Sequence, residues 1–278
     1  MDVYISVGLE GVAGVVERAQ VDDASGGRPY RRACGLMTGE ANAAVGGAIT
    51  AGAQRIIVND AHGRMNNLDL ETLDPRVECS VGYPKPFGSM AGITSRFGAC
   101  CLIGYHAGAG SAPAILDHTL SRRMFRAVRL NGVRQTETTL NAGLAGHHGV
   151  PVVMVSGDEA TCAEAIAVLG PKVQTVATKA AFGSGAAYCL HPSVARERIE
   201  NAVHEGMSRA IGGDVEPYRV PAPYLLECDT TTTLAADYAS TIPGVERTAG
   251  RTLRFAADDY TTVFRALLTM SMLGELVR

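Results

Sequence analysis

Val3-Tyr4-Ile5-Ser6-Val7, running straight into Gly8-Leu9-Glu10-Gly11-Val12-Ala13-Gly14, is the stretch on which the fold turns. A short apolar run closed by a glycine-rich turn reads as a buried strand that ends abruptly. Working outward, residues 22–29 form a polar loop. Arg31 to Ala51 is alanine-rich and compatible with a helix, weakened at Gly46-Gly47 by ~1 kcal/mol per glycine relative to alanine. Arg55-Ile56-Ile57-Val58-Asn59 is a second buried strand. Strand, helix, strand is the unit that builds a parallel sheet.

The pattern continues. Ala99 to Tyr105 is a further strand. Phe125 to Gln135 carries Asn131-Gly132 between β-compatible flanks, a hairpin signal. Glu137 to His147 is expected to be helical, Val152 to Val155 a strand, Asp158 to Leu169 a helix and Val173 to Ala177 a strand. Pro192 opens a helix to about Ile211. Tyr260, Val263, Phe264, Leu267 and Leu268 share one helical face. The fold class is therefore α/β, with a mostly parallel central sheet flanked by helices. We expect one domain over residues 1–278, with a subdivision near 180–220, where Pro217 to Pro223 reads as a connector. The last stretch either makes a smaller C-terminal subdomain or packs back onto the sheet. There is no internal repeat.

The chain has 278 residues, 46% hydrophobic and 19% charged, with a formal net charge of -3. Nothing in that balance favours nucleic acid or an anionic membrane as partner. No apolar run reaches the ~18 residues needed to span a bilayer, and the N-terminus lacks the basic start of a signal peptide. The seven cysteines form no Cys-x-x-Cys pair, and Cys100-Cys101 sits in an apolar run. They are expected to be small buried hydrophobes in a reducing compartment, so a cytoplasmic location is expected.

In open α/β sheets, ligands bind beyond the carboxyl ends of the strands. Glu10 follows the first strand, Asp60 and His62 the second, and His106 the strand ending at Tyr105; Glu137 follows the hairpin and opens a helix. Imidazoles and carboxylates are borderline ligands that suit zinc. Each residue alone reads as an ordinary polar side chain at a strand end. Their repetition at strand ends suggests a shared site. His118, twelve positions beyond His106, is a candidate proton carrier if it faces that site, and otherwise a surface or core histidine. His147-His148 suits a helix C-terminus, and His191 and His204 read as structural. Gly8-x-x-Gly11-x-x-Gly14 has the wrong spacing for a dinucleotide fingerprint, there is no Walker A motif, and Ser89 is misplaced for a nucleophile elbow.

Tyr4-Ile5-Ser6-Val7-Gly8-Leu9-Glu10-Gly11 resembles the Ser-x-Asp-x-Glu-Gly motif of the DppA-type zinc-dependent D-aminopeptidases, peptidase family M55. Val58-Asn59-Asp60-Ala61-His62, Met65-Asn66-Asn67-Leu68, Lys85-Pro86-Phe87, Gly104-Tyr105-His106-Ala107, Asp117-His118-Thr119 and Thr136-Glu137-Thr138-Thr139-Leu140-Asn141-Ala142 continue the match. So do Val150-Pro151-Val152 and Ser156-Gly157-Asp158. The resemblance implies a hydrolase that binds two zinc ions and removes N-terminal D-residues from short peptides. It implies Glu10, His62, His106 and Glu137 as zinc ligands, His118 as the catalytic histidine, and a homodecamer. The family's aspartate is Gly8 here, which leaves one zinc, or two bridged by hydroxide or substrate, or a disabled site as alternatives. Gly8 itself is expected either to stand where a carboxylate could reach the cleft or to be required by a left-handed backbone. The readings to separate are a metal-dependent amide hydrolase, one retuned to another amide, and a non-catalytic homologue that binds a small amine or peptide.

Overall fold

The computed structural model describes residues 1–22 and 27–277. Its main body is a sheet of seven strands: β1 (Asp2–Val7), β2 (Arg55–Asp60), β3 (Glu78–Ser80), β4 (Phe97–Ile103), β7 (Val152–Asp158), β8 (Gln174–Gly183) and β9 (Ala186–Cys189). They lie in the order β3-β2-β1-β4-β7-β8-β9, parallel except for the β8–β9 hairpin at one edge. Between them in sequence, β5 (Phe125–Leu130) and β6 (Val133–Arg134) form the hairpin announced by Asn131-Gly132, both of which take left-handed φ. With β10 (Tyr224–Thr230), β11 (Glu246–Ala249) and β12 (Thr252–Ala257) they make a second, antiparallel sheet in the order β11-β12-β10-β5-β6. The smaller sheet thus draws on both the middle and the end of the chain.

Alternation in β1 sets the two faces of the large sheet. Val3, Ile5 and Val7 join a core with Met37, Ala41, Ala44, Val45 and Ala48 of α1 (Arg28–Thr50) and Ile199, Val203 and Met207 of α4 (Pro192–Ile211). Tyr4 points the other way. It joins a core built with α2 (Glu137–His147), α5 (Thr233–Ala239), α6 (Tyr260–Leu273) and the inner face of the small sheet. Cys100 and Cys101 fall in opposite cores, as neighbours on a strand must. Gly47 in α1 has a reason the sequence does not announce: a Cβ there would lie 2.3 Å from the backbone oxygen of Glu200, so α1 and α4 cross in near-backbone contact. The remaining helix, α3 (Glu159–Leu169), starts at Asp158, whose carboxylate accepts from Thr161 N.

Several expected boundaries move. The loop expected over 22–29 falls in part on residues 23–26, outside the described residues, and Arg28 and Pro29 already belong to α1. The third long strand begins at Phe97 and ends at Ile103, two residues earlier than expected, because Gly104 turns away with φ 69°. β8 runs well past Ala177 because β9 pairs with its end. Cys189 is exposed on that edge strand, against the expectation of a uniformly buried set, and Cys34 and Cys79 are half-buried. Among the described residues, no helix is long and apolar enough to cross a membrane.

Candidate functional site

Register brings the strand ends together. Val7 pairs with Asp60 on one side and Ile103 on the other, so β1, β2 and β4 finish level with one another. The chain runs from β1 to β2 and β3 in one direction and then places β4 on the far side of β1. Connections diverge at that point and leave a crevice above the sheet. The crevice is a cavity of about 500 Å³ lined by Gly8, Glu10, His62, His106, His118 and Glu137 among others. Asp60 is not one of them. Its carboxylate accepts from the backbone of His62, Asn67 and Leu68 and from the Asn67 amide, and so shapes the loop that carries His62.

The five candidate residues form two contacting groups that approach each other at Glu10. His62 Nδ1 lies 3.0 Å from both carboxylate oxygens of Glu10. His106 Nε2 is 3.2 Å and His118 Nε2 3.7 Å from Glu137 Oε1, and the two imidazoles stack with centroids 3.8 Å apart. Ligand-type atoms of Glu10, His106 and His118 all fall within 4.8 Å of one another. Each imidazole is also anchored from behind: His62 Nε2 donates to Val21 O, His106 Nδ1 to Ala107 O, and His118 Nδ1 to Leu116 O, at 2.8 to 3.0 Å. A carbonyl can only accept, so each anchored nitrogen carries the proton. The opposite nitrogen is turned into the cavity.

Electrostatics follows from that geometry. Burial alone would raise the Glu10 carboxyl, but the His62 charge and hydrogen bond hold it well below the usual range. Burial works to lower His62 and His106, yet Glu10 and Glu137 respectively outweigh it and lift each to about 9. Glu137, which burial pushes up, is brought down by His106 and also accepts from Leu120 N at 2.7 Å. His118 stands farther from its carboxylate, 3.7 Å from Glu137 Oε1, and the pull of Glu137 and Glu10 is too weak to offset what opposes it. Burial first, and the charge on His106 second, lower it to about 4. Two buried carboxylates are thus kept ionised by protons on two imidazoles. A divalent cation would supply the same charge and leave the imidazoles neutral, as ligands must be. The anchored-histidine pattern is also the arrangement that orients metal-binding imidazoles. The residues present fit a zinc ion.

Two lysines hold the loops: Lys179, which the sequence did not single out, and Lys85, which the resemblance includes without a role. Lys179 Nζ, buried, donates to the carbonyls of Glu10, Val12 and Val15 at 2.5 to 2.9 Å and so ties down the glycine-rich turn. Lys85 Nζ donates to Asn59 Oδ1, Asp60 O and Ser80 O at the end of β2. A lysine inside the otherwise uncharged Gln174–Gly183 strand is the signal that was available. Below the cavity, Tyr105 OH bonds Ser6 Oγ at 2.7 Å and accepts from Asn141 Nδ2 at 2.8 Å. Leu116 and Leu120, on either side of His118, take left-handed φ of 52° and 60°. Such strain in non-glycine residues persists only where surrounding contacts impose it.

Gly8 does not adopt the left-handed φ that was one expectation for it. Its constraint is contact: a Cβ at Gly8 would stand 2.7 Å from Gly104 O, and one at Gly104 would stand 2.5 Å from Gly8 O. His147 and His148 close α2, His191 caps α4 and His204 is exposed; none reaches the cavity.

Comparison with known proteins places this geometry. A family model described as D-aminopeptidase, Peptidase_M55, matches residues 1–269. The D-aminopeptidase of Bacillus subtilis (strain 168) is 33% identical over 275 residues, covering 99% of this chain and 98% of that protein. Among solved structures, the Zn-dependent D-aminopeptidase DppA from Bacillus subtilis, described as a self-compartmentalizing protease, superposes with a TM-score of 0.91. The match spans 99% of this chain and 98% of that one, at 33% identity.

Proposed function

The chain belongs to the D-aminopeptidase family M55, metallopeptidases of the hydrolase class, and from that premise we propose that it is a zinc-dependent enzyme releasing N-terminal D-residues from short peptides or amides. The observation that carries this reading is the set of three imidazoles, each anchored by a carbonyl and turned towards the buried carboxylate of Glu10 or the half-buried one of Glu137. Glu10, His62, His106 and Glu137 are the residues that would hold the metal. When bound, zinc supplies Lewis-acid polarisation of the scissile carbonyl and brings the pKa of a water down to about 7. His118, neutral at physiological pH, presents an unprotonated Nε2 to the cavity and can take a proton there and return it to the leaving amine. The cytoplasm is the proposed location, in keeping with seven cysteines that are all free.

Gly8 bears on how many ions are held. With no carboxylate at position 8, four donors remain, enough for one zinc with three protein ligands and an open position. We expect protein purified with excess zinc and then desalted to retain one ion per subunit and to cleave D- over L-aminoacyl amides. Gly8→Asp is expected to lower stability by ~1–3 kcal/mol without adding metal, since a Cβ 2.7 Å from a backbone oxygen forces the ends of β1 and β4 apart. Elemental analysis, unfolding and hydrolysis of both proteins decide this. Metal-free parent protein that still binds an amine would favour a non-catalytic homologue. Zinc rising towards two per subunit in Gly8→Asp, with faster hydrolysis, would show that the missing carboxylate limits the site.

We also propose that the chain forms a homo-oligomer. The β8–β9 edge carries Phe182 and Tyr188, 61% and 73% exposed and packed edge-on with centroids 4.5 Å apart. An exposed aromatic pair on a strand edge is a surface that a second copy can cover. Light scattering should give a mass well above 29.1 kDa, and Phe182→Asp with Tyr188→Asp should shift it downward. A single 29.1 kDa species for the parent at micromolar concentration would overturn the assembly.

A further inference from the structure

A second and larger hollow, of about 1120 Å³, opens beside the candidate site and shares His118 and Arg122 with it. Its charge is unlike that of the chain. Five arginines line it against two aspartates, in a protein whose formal net charge is -3. Both aspartates are already engaged: Asp229 pairs with Arg129 and accepts from Thr252, and Asp117 accepts from Gly110 N at 2.6 Å. Arg122, Arg126 and Arg134 have no ion-pair partner among the described residues. The hairpin also sets Arg134 directly opposite Arg129, a like-charge pairing that costs stability in a bare sheet. Burial and the neighbouring charge of Arg18 work against the Arg122 guanidinium and outweigh the support it draws from Glu10 and Asp117. A concave, surplus-cationic wall next to His118 is the arrangement that recognises carboxylates, since guanidinium groups bind them in forked pairs.

We propose that this arginine-lined hollow binds the carboxylate-bearing part of the substrate beyond the scissile amide, so that the enzyme prefers short peptides with an acidic residue or a free C-terminal carboxylate there. The proposal rests on the aminopeptidase reading for its placement. His118 and Arg122 line both hollows, so a fragment leaving beside His118 would pass from one into the other. Arg126 on β5 and Arg134 on β6 line the same hollow as His118 and Arg122. Phe125 and Ala127 are apolar members of the same lining.

The test compares D-alanyl-D-glutamate, D-alanyl-D-glutamine and D-alanyl-D-glutamine amide with the parent and with an Arg126→Gln, Arg134→Gln variant. It is paired with calorimetric titration of glutarate, a dicarboxylate lacking an amine, against neutral glutaramide. The first step in the peptide series removes the side-chain carboxylate and the second removes the terminal one. Each carboxylate that uses the hollow should raise kcat/KM about tenfold, the scale of a charge-assisted contact. The double variant should flatten that ranking, cutting the acidic peptide far more than the amide. Glutarate should bind the parent at least tenfold more tightly than the variant, and glutaramide should bind neither. Equal kcat/KM across the series, or glutarate binding unchanged in the variant, overturns the subsite. If no D-aminoacyl substrate is cleaved while glutarate binding still depends on the arginines, the anion site stands and the aminopeptidase reading falls.

Discussion

Replacing His118 by alanine should cut turnover by ~100-fold or more while leaving zinc content and thermal stability close to those of the parent, the scale expected for a positioned acid–base group. The side chain is set for proton transfer. Its Nδ1–H is committed to Leu116 O, its ring lies flat against His106, and its free Nε2 looks into the cavity 3.7 Å from Glu137. The same closeness makes the experiment discriminating. His118 falls within ligand distance of Glu10 and His106, so it could equally sit in a metal's coordination sphere. Elemental analysis of the variant separates the roles. Zinc retained with turnover lost assigns proton transfer, zinc lost assigns a ligand, and both unchanged removes His118 from the chemistry. His148→Ala, at the end of α2 and away from the cavity, should leave turnover near the parent value.

Lys179→Met should be the most destabilising single change near the site. The ammonium donates to three buried carbonyls in the turn that carries Glu10, and methionine of similar length donates to none. A buried carbonyl stripped of its donor costs about 1–3 kcal/mol, so a loss of roughly 3–6 kcal/mol is expected after partial relaxation. Urea unfolding reads that loss directly. Zinc should be lost with it, because Glu10 depends on the turn for its position. Lys179→Arg should recover little, since a planar guanidinium cannot aim donors at three carbonyls arranged about a point. A stability change under ~1 kcal/mol with zinc retained would mean that the turn holds its own shape.

The parallel body of the fold was legible because its local signals agree. Apolar runs at residues 3–7 and 55–59 are bounded by turn residues, Asn131-Gly132 supplies the left-handed pair that a hairpin needs, and Pro192 opens a helix. Beyond its β5–β6 hairpin the small sheet was not read, although Tyr224, Leu226, Cys228 and Thr230 alternate buried with half-buried neighbours. That strand pairs with β5, far away in sequence, and a four-residue alternation after a proline-rich connector carries little weight alone. Within the site, residue types at strand ends were visible, and the resemblance named them. Their contacts depend on register between β1, β2 and β4, which spacing along the chain does not encode. The roles of Lys179 and Lys85 were missed for a related reason: a lysine reads as surface unless the carbonyls that surround it are known.

The mutual approach of Gly8 and Gly104 bears on inheritance. Each position is closed to a side chain by the other's backbone oxygen, which is there whatever residue carries it. An acidic residue at position 8 is one base change from glycine, so the barrier to it is the room between the strand ends and not the genetic code. A lineage moving towards it must first widen the strand ends through neighbouring substitutions that bring no benefit themselves. Saturation of position 8 alone should return only glycine, whereas joint libraries at 8 and the 104–105 turn should return carboxylates. The site would then be a local ratchet, in which the order of mutations decides which metal chemistry its descendants can reach.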